Sequence, residues 1–318
     1  MIDFRYHLVS LIAVFLAIAL GIVIGTTQLN GRLVDNLQSQ VSGLQADKRG
    51  LESQTKQLQT QLDDVGGFEQ AVGPTLVRNT LTGRSVVLVV TNRDVDSDAV
   101  QGVTALLGSA GATVNGTVQL TDQFTSSDQD SALQSYLTGT GLPAGVTTPA
   151  GTDVGGRVAA LLAQVLMIPG AGRADAGLPP ASTATSAVLS GLGQLGVLSK
   201  SDTSSVSAAD FAVVLTTGVI TGKNADARTK RLVQLAGALD ERGSGTVVAG
   251  DATSAQNGGL VAAVRSDDTF GDSVSSVDNL TVPAGQISTV LALAAEGRGN
   301  SGAYGTADNT QPVPSPAS

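Results

Sequence analysis

Ser85-Val86-Val87-Leu88-Val89-Val90-Thr91 is an unbroken β-branched run with no polar alternation. A strand that is apolar on both faces belongs in the middle of a parallel sheet, with helices packed on each side. The neighbouring sequence fits that reading. Ser97–Gly108 carries apolar residues at helical spacing, Thr113–Leu120 reads as a second strand, and Phe211–Thr216 repeats the buried-strand pattern. Helical patterns fall at Ser131–Leu137, Val154–Leu166, Ser186–Leu195 and Ala225–Arg242, the last stopped by Gly243. Gly245–Gly250 and Leu260–Arg265 are expected as short strands, and Ile287–Ala295 fits either class. Pro169–Ala184 is rich in Gly, Ala and Pro and reads as a loop. Strands alternating with helices predict a layered α/β domain with a mostly parallel sheet over 84–296. Gly297–Ser318 is polar, contains Pro312, Pro314 and Pro316, and is expected to be disordered.

Two different segments precede this domain. Leu8–Gly25 holds no charge, and its only polar side chain is Ser10. As a helix it would span roughly 27 Å, close to the hydrocarbon thickness of a bilayer. A buried core helix would show a polar face, and this run shows none. A cleaved signal peptide is the stronger competitor, because Ala17-Ile18-Ala19 has the small-x-small form of a cleavage site. The apolar run continues through Leu20–Ile24, where a signal peptide turns polar, which favours an uncleaved anchor. Arg5 on the short flank predicts that residues 1–7 are cytoplasmic and that residues 26–318 lie outside.

Residues 29–65 carry a heptad. Leu37, Leu44, Leu51, Leu58 and Val65 fall at d, and Val34, Val41, Lys48, Thr55 and Leu62 fall at a. This predicts a coiled coil of about four heptads that joins copies of the chain, with an amphipathic helix lying on its own domain as the alternative. Gly66-Gly67 is expected to end it. Such a stalk would lift the domain away from the membrane.

Composition removes several function classes. The 318 residues include no Cys, no Trp and one His, and they carry a net charge of -9. Thiolate metal sites, Cys nucleophiles and disulfides are excluded. His7 lies at the edge of the apolar run, so a Ser-His-Asp triad in the folded domain is unavailable. An acidic chain with 3% aromatics lacks the basic, stacking surface used for nucleic acids. No catalytic residue and no cofactor is assigned.

The motifs that remain are weak. Gly191-Leu192-Gly193-Gln194-Leu195-Gly196 fits G-x-G-x-x-G, but it follows a helix rather than a strand. Asp94, Asp96 and Asp98 follow the first buried strand at alternate positions and are candidates for a hard cation. An ordinary helix N-cap explains the same residues, and Ala99 and Ala105 break the EF-hand pattern. Their position, with Arg93, is the expected edge of a pocket, since open α/β sheets bind ligands beyond the carboxyl ends of strands. Thr216-Thr217-Gly218 occupies the equivalent place after the second buried strand.

The segments together resemble the mycobacterial copper transport protein B family of actinobacterial envelope proteins. The likeness runs through Arg5-Tyr6-His7-Leu8-Val9-Ser10 and the coil behind it, then Arg84–Val90, Arg242–Gly250, Val277–Leu293 with Pro283-Ala284-Gly285, and Tyr304-Gly305. It implies a membrane-anchored protein that keeps intracellular copper low, described in that family as pore-forming in the outer membrane. The residues themselves offer little to copper. Its soft ligands are Cys, Met and His, and the folded part contains only Met167. Six Phe, three Tyr and no Trp do not furnish the aromatic girdles of a membrane barrel. A pore would therefore come from oligomerisation. Two other functions stay open: a non-catalytic envelope scaffold or ligand-binding module, and carboxylate chemistry around Asp94–Asp98.

Overall fold

The structure, a computed structural model, describes residues 4–139, 141–147, 153–171, 177–199 and 205–314, and only the backbone of 26–35. It divides into two compact units, residues 1–65 and 66–318.

The first unit is helical. Helix α1 (Phe4–Leu76) begins with an apolar stretch, Phe4–Gly25, of mean hydropathy 2.9 and wholly unburied. A helix satisfies its own backbone polar groups, so this stretch is long and apolar enough to cross a bilayer. Farther along, Leu37, Val41, Leu44, Leu51, Leu58, Leu62 and Val65 are all exposed.

The helix does not stop at Gly66-Gly67 as expected; it continues to Leu76. In an isolated helix each glycine costs about 1 kcal/mol. Here the last turns belong to the second unit, and its packing holds them helical. A side chain at Gly73 would lie 3.0 Å from Ile287, and Glu69 Oε2 accepts from the Ala284 amide at 3.1 Å.

The second unit is a six-stranded parallel sheet in the order β2-β1-β3-β4-β5-β6. Its elements are β1 (Ser85–Val90), α2 (Ser97–Ser109), β2 (Thr113–Gln119), α3 (Asp122–Thr125), α4 (Asp130–Thr138), α5 (Val154–Leu166), α6 (Ser182–Gln194), β3 (Phe211–Thr216), α7 (Ala225–Arg242), β4 (Thr246–Gly250), α8 (Leu260–Arg265), β5 (Ser275–Val277), α9 (Pro283–Glu296) and β6 (Ala303–Tyr304). Alternate strand residues feed two cores. Val87, Val89, Ala212, Val214 and Val248 meet Leu161, Leu162, Leu235 and Leu239 of α5 and α7. Val86, Leu88, Val213, Leu215 and Val247 meet Leu107 of α2 and Val290 and Leu293 of α9. Burial on both faces is why the strand sequences show no polar alternation.

Two expectations need correction, and the open reading of Ile287–Ala295 is resolved. Leu260–Arg265 is helix α8, not a strand. Strands β4 and β5 pair directly and in parallel, so the chain between them must cross over the sheet, and α8 lies in that crossover. Ile287–Ala295 falls inside helix α9. The stretch Gly297–Ser318 is not structureless where it is described, because β6 pairs with β5 and Tyr304 is buried.

A half-buried arginine paired with a buried aspartate ties that stretch down. Arg265 Nη1 donates to Asp278 Oδ2 at 2.9 Å, and Arg265 Nη2 donates to the Tyr304 carbonyl at 3.0 Å. Asp278 Oδ1 accepts from the Thr306 amide at 2.7 Å. Residues 315–318 lie outside the described residues, as do 172–176 of the expected loop.

Candidate functional site

The strand order makes β1 the point where the sheet reverses direction of growth, toward β2 on one side and β3 on the other. In open α/β sheets the crevice at the carboxyl ends of such strands is the usual ligand site. Here side chains bridge it. Thr91 and Thr216 are buried and hydrogen-bonded to each other through their hydroxyls at 3.0 Å. Asn92 Nδ2 donates to the Thr217 carbonyl at 3.1 Å, and Asn92 Oδ1 is buried with no hydrogen-bond partner.

Asp251, at the end of β4, holds the next loop. Its Oδ1 accepts from the Gly218 amide at 2.9 Å and the Ser254 amide at 3.0 Å. Burial pushes the Asp251 carboxyl up, but hydrogen bonds from Thr253, Gly218 and Ser254 outweigh it and hold the group below the usual range.

The predicted carboxylates lie on the exposed rim of this edge. Asp96 is the N-cap of α2, its Oδ1 accepting from the Asp98 amide at 2.9 Å. Asp98 sits in the first turn, where the helix dipole favours an anion. Among the described residues no group of three His, Cys, Asp or Glu is placed to hold a metal. A cleft of about 590 Å³ does open beside them, lined by Val90, Asn92, Arg93, Gln101, Thr117 and Gln119. Arg93 lines it, and the three aspartates do not. Asp96 is thus accounted for as a helix cap, and Arg93 borders the cleft.

A second polar cleft, about 520 Å³, opens at the amino ends of the strands, where Arg84, Asp210, Asp240, Asp272 and Glu296 line it. Asp210 Oδ2 accepts from both the amide and the hydroxyl of Ser85, at 2.8 and 2.7 Å. Glu296 is buried, and its Oε1 accepts from the Ser275 amide at 2.8 Å. Burial, with the nearby Asp240 charge, pushes the Glu296 carboxyl up to about 8. Sequence reasoning missed this cluster, because its members come from separate elements and no local spacing announces them.

The soft-metal donors are placed elsewhere. Met167 is fully buried in the core on the α5 face, and His7 is exposed within the apolar stretch of α1. Neither joins either cleft. The described side chains do not fit a thioether or imidazole copper site.

Comparison with known proteins gives a consistent result. A family described as "Copper transport outer membrane protein, MctB" matches residues 1–314. The chain is 32% identical over 317 residues to proteins named "Copper transporter MctB" from Mycobacterium bovis and Mycobacterium tuberculosis, covering 98% of this chain and 99% of theirs. The protein of the same name from Mycobacterium leprae is 30% identical over 298 residues, 92% of each chain.

Proposed function

The chain belongs to the MctB family of copper transport outer membrane proteins, and on that premise we propose that it is an anchored envelope protein that limits intracellular copper. The observation that carries the reading is the family match along nearly the whole chain, joined to the exposed apolar helix. In this reading residues 1–7 are a cytoplasmic stub, 8–25 span the membrane, 29–65 form a self-associating stalk, and 84–296 form an extracytoplasmic domain. Arg5 on the stub supplies the orientation. The role is transport rather than catalysis.

Copper is the cargo, and its path does not run through a soft site in the folded domain. Asp94, Asp96 and Asp98 remain the oxygen donors proposed for a harder ion, exposed at the rim of the carboxyl edge. The sheet is no barrel wall either. Its strands run from two to seven residues, against about nine to eleven for a membrane strand, and helices cover both faces. A conducting path would have to be built from several anchors. A second reading, a non-catalytic envelope scaffold, is favoured by the same donor chemistry.

The test is a deletion strain challenged with copper, beside conductance of the reconstituted full chain with and without residues 29–65. Copper sensitivity and metal content that rise on deletion support the transport role, and conductance that needs the stalk supports an oligomeric path. Unchanged copper handling refutes the transport role and leaves the scaffold.

A further inference from the structure

We propose that the stalk is a two-stranded, parallel, in-register coiled coil whose register is set by one charged layer at Lys48; this rests on the self-association reading above. The surface is the row of side chains at a and d. Val41, Leu44, Leu51, Leu58 and Leu62 are each half or more exposed along a helix that runs without interruption from Phe4. Gly43 and Gly50 fall at c, on the opposite side, where a Cβ would meet nothing within 4 Å. They leave the seam intact.

The residue types name the occupant. At a, Val34, Val41 and Thr55 are β-branched; at d, four of five residues are Leu. β-Branched a with Leu d is the combination that favours two strands in a parallel coil. Lys48 adds to this as the one charged residue at a, since a polar side chain at an a position fixes register and strand number.

Charge complementarity supplies the register. The flanking e and g positions are Gln at 38, 40, 45, 54, 59 and 61, and the two acidic exceptions are Asp47 at g and Glu52 at e. Both border Lys48. Within one chain Lys48 Nζ lies 3.6 Å from Glu52 Oε1, with both side chains mostly exposed. When a second copy lies parallel and in register, a Lys48 knob enters a hole that includes Asp47 and Leu51 of that copy, and Glu52 follows that Leu51 directly. Two ammoniums then face four carboxylates. A slip of one heptad sets Lys48 beside Val41 and Gln40, or Thr55 and Gln54, and loses that pairing. Parallel orientation follows from the anchor, because copies held in one bilayer by the same span leave it in the same direction.

The experiment uses the full chain in detergent micelles. The sequence contains no cysteine, so Leu44→Cys and Leu51→Cys each introduce a sole thiol. Expected are a dimer by sedimentation, a disulfide between two Leu44→Cys chains, and no mixed disulfide between Leu44→Cys and Leu51→Cys chains. Lys48→Glu should raise the dissociation constant about tenfold or more, and mixing it with an Asp47→Lys/Glu52→Lys chain should restore association. Lys48→Leu, which keeps the seam apolar, should associate at least as tightly and yield mixed disulfides or larger oligomers. A chain that stays monomeric at all concentrations overturns the self-association reading itself. Three results overturn only this inference: association as a trimer or larger, mixed disulfides as abundant as matched ones, or indifference to Lys48→Glu.

Discussion

Replacing Glu296 with Gln should remove most of the pH dependence of the domain's stability on the way to alkaline pH. Glu296 is 8% exposed, and its carboxyl is pushed up to about 8 from an ordinary 4.5. Unfolding returns the group to water and to its ordinary value. Between those two limits the unfolded chain is ionised while the folded chain still holds the proton. The unfolded state therefore binds fewer protons, and stability falls as pH rises. The contribution is fully present below pH 4.5, declines through the window, and has been lost above about pH 8. At about 1.4 kcal/mol per pH unit, the fall between pH 5 and 7.5 is on the order of 3 kcal/mol. Gln keeps an oxygen to accept from the Ser275 amide and never ionises. The assay is urea unfolding followed by circular dichroism, both proteins at half-unit steps from pH 5 to 9. Glu296→Gln should match the parent near pH 5, lose less stability on the way up, and be the more stable protein at pH 8.5. Parallel curves for the two proteins, or a variant that is weaker at pH 8.5, would refute a buried neutral carboxyl.

Other substitutions probe the remaining joints. Asp278→Ala should cost about 3–5 kcal/mol, because it leaves Arg265 and the Thr306 amide without their buried acceptor; hydrogen exchange should show residues 303–314 losing protection. Gly285→Ala would set a Cβ 1.9 Å from the Asn279 carbonyl, so a loss of about 1–3 kcal/mol in a urea titration is expected. Asp96→Ala removes the N-cap of α2 and should cost about 1 kcal/mol, seen as a lower thermal midpoint.

What the sequence disclosed follows from where each residue ended up. Ser85–Val90 and Phe211–Thr216 were legible because both of their faces are buried, which forces a continuous apolar run. Leu260–Arg265 has the same appearance for another reason. It is a six-residue helix covered by the core, and at that length periodicity cannot separate helix from strand. Ser275–Val277 and Ala303–Tyr304 were invisible, since two or three residues carry no pattern and their place is set by Arg265 and Asp278. Gly66-Gly67 misled because a local helix penalty was compared with nothing, whereas Gly73 and Glu69 packing outweighs it. At the carboxyl edge, the position of Asp94–Asp98 was readable from strand logic, but the capping role of Asp96 was not separable from ligation by spacing alone.

Stoichiometry decides between the two envelope functions. Among the described residues one stretch, of 22 residues, is long and apolar enough to cross a membrane, and the sheet is covered on both faces. A single span encloses no lumen, and two parallel spans in contact enclose none either. A hydrophilic path through the bilayer therefore needs more chains than a two-stranded stalk brings together. If the a and d residues select two strands, conduction requires dimers to assemble further through some other surface, and Lys48→Leu, which relaxes strand number, should raise conductance rather than abolish it. If instead the chain conducts in proportion to stalk-held oligomers larger than two, the Val/Leu pattern at a and d has been outvoted by the anchors. Counting chains per particle, alongside conductance, distinguishes a pore from a scaffold without any knowledge of where copper binds.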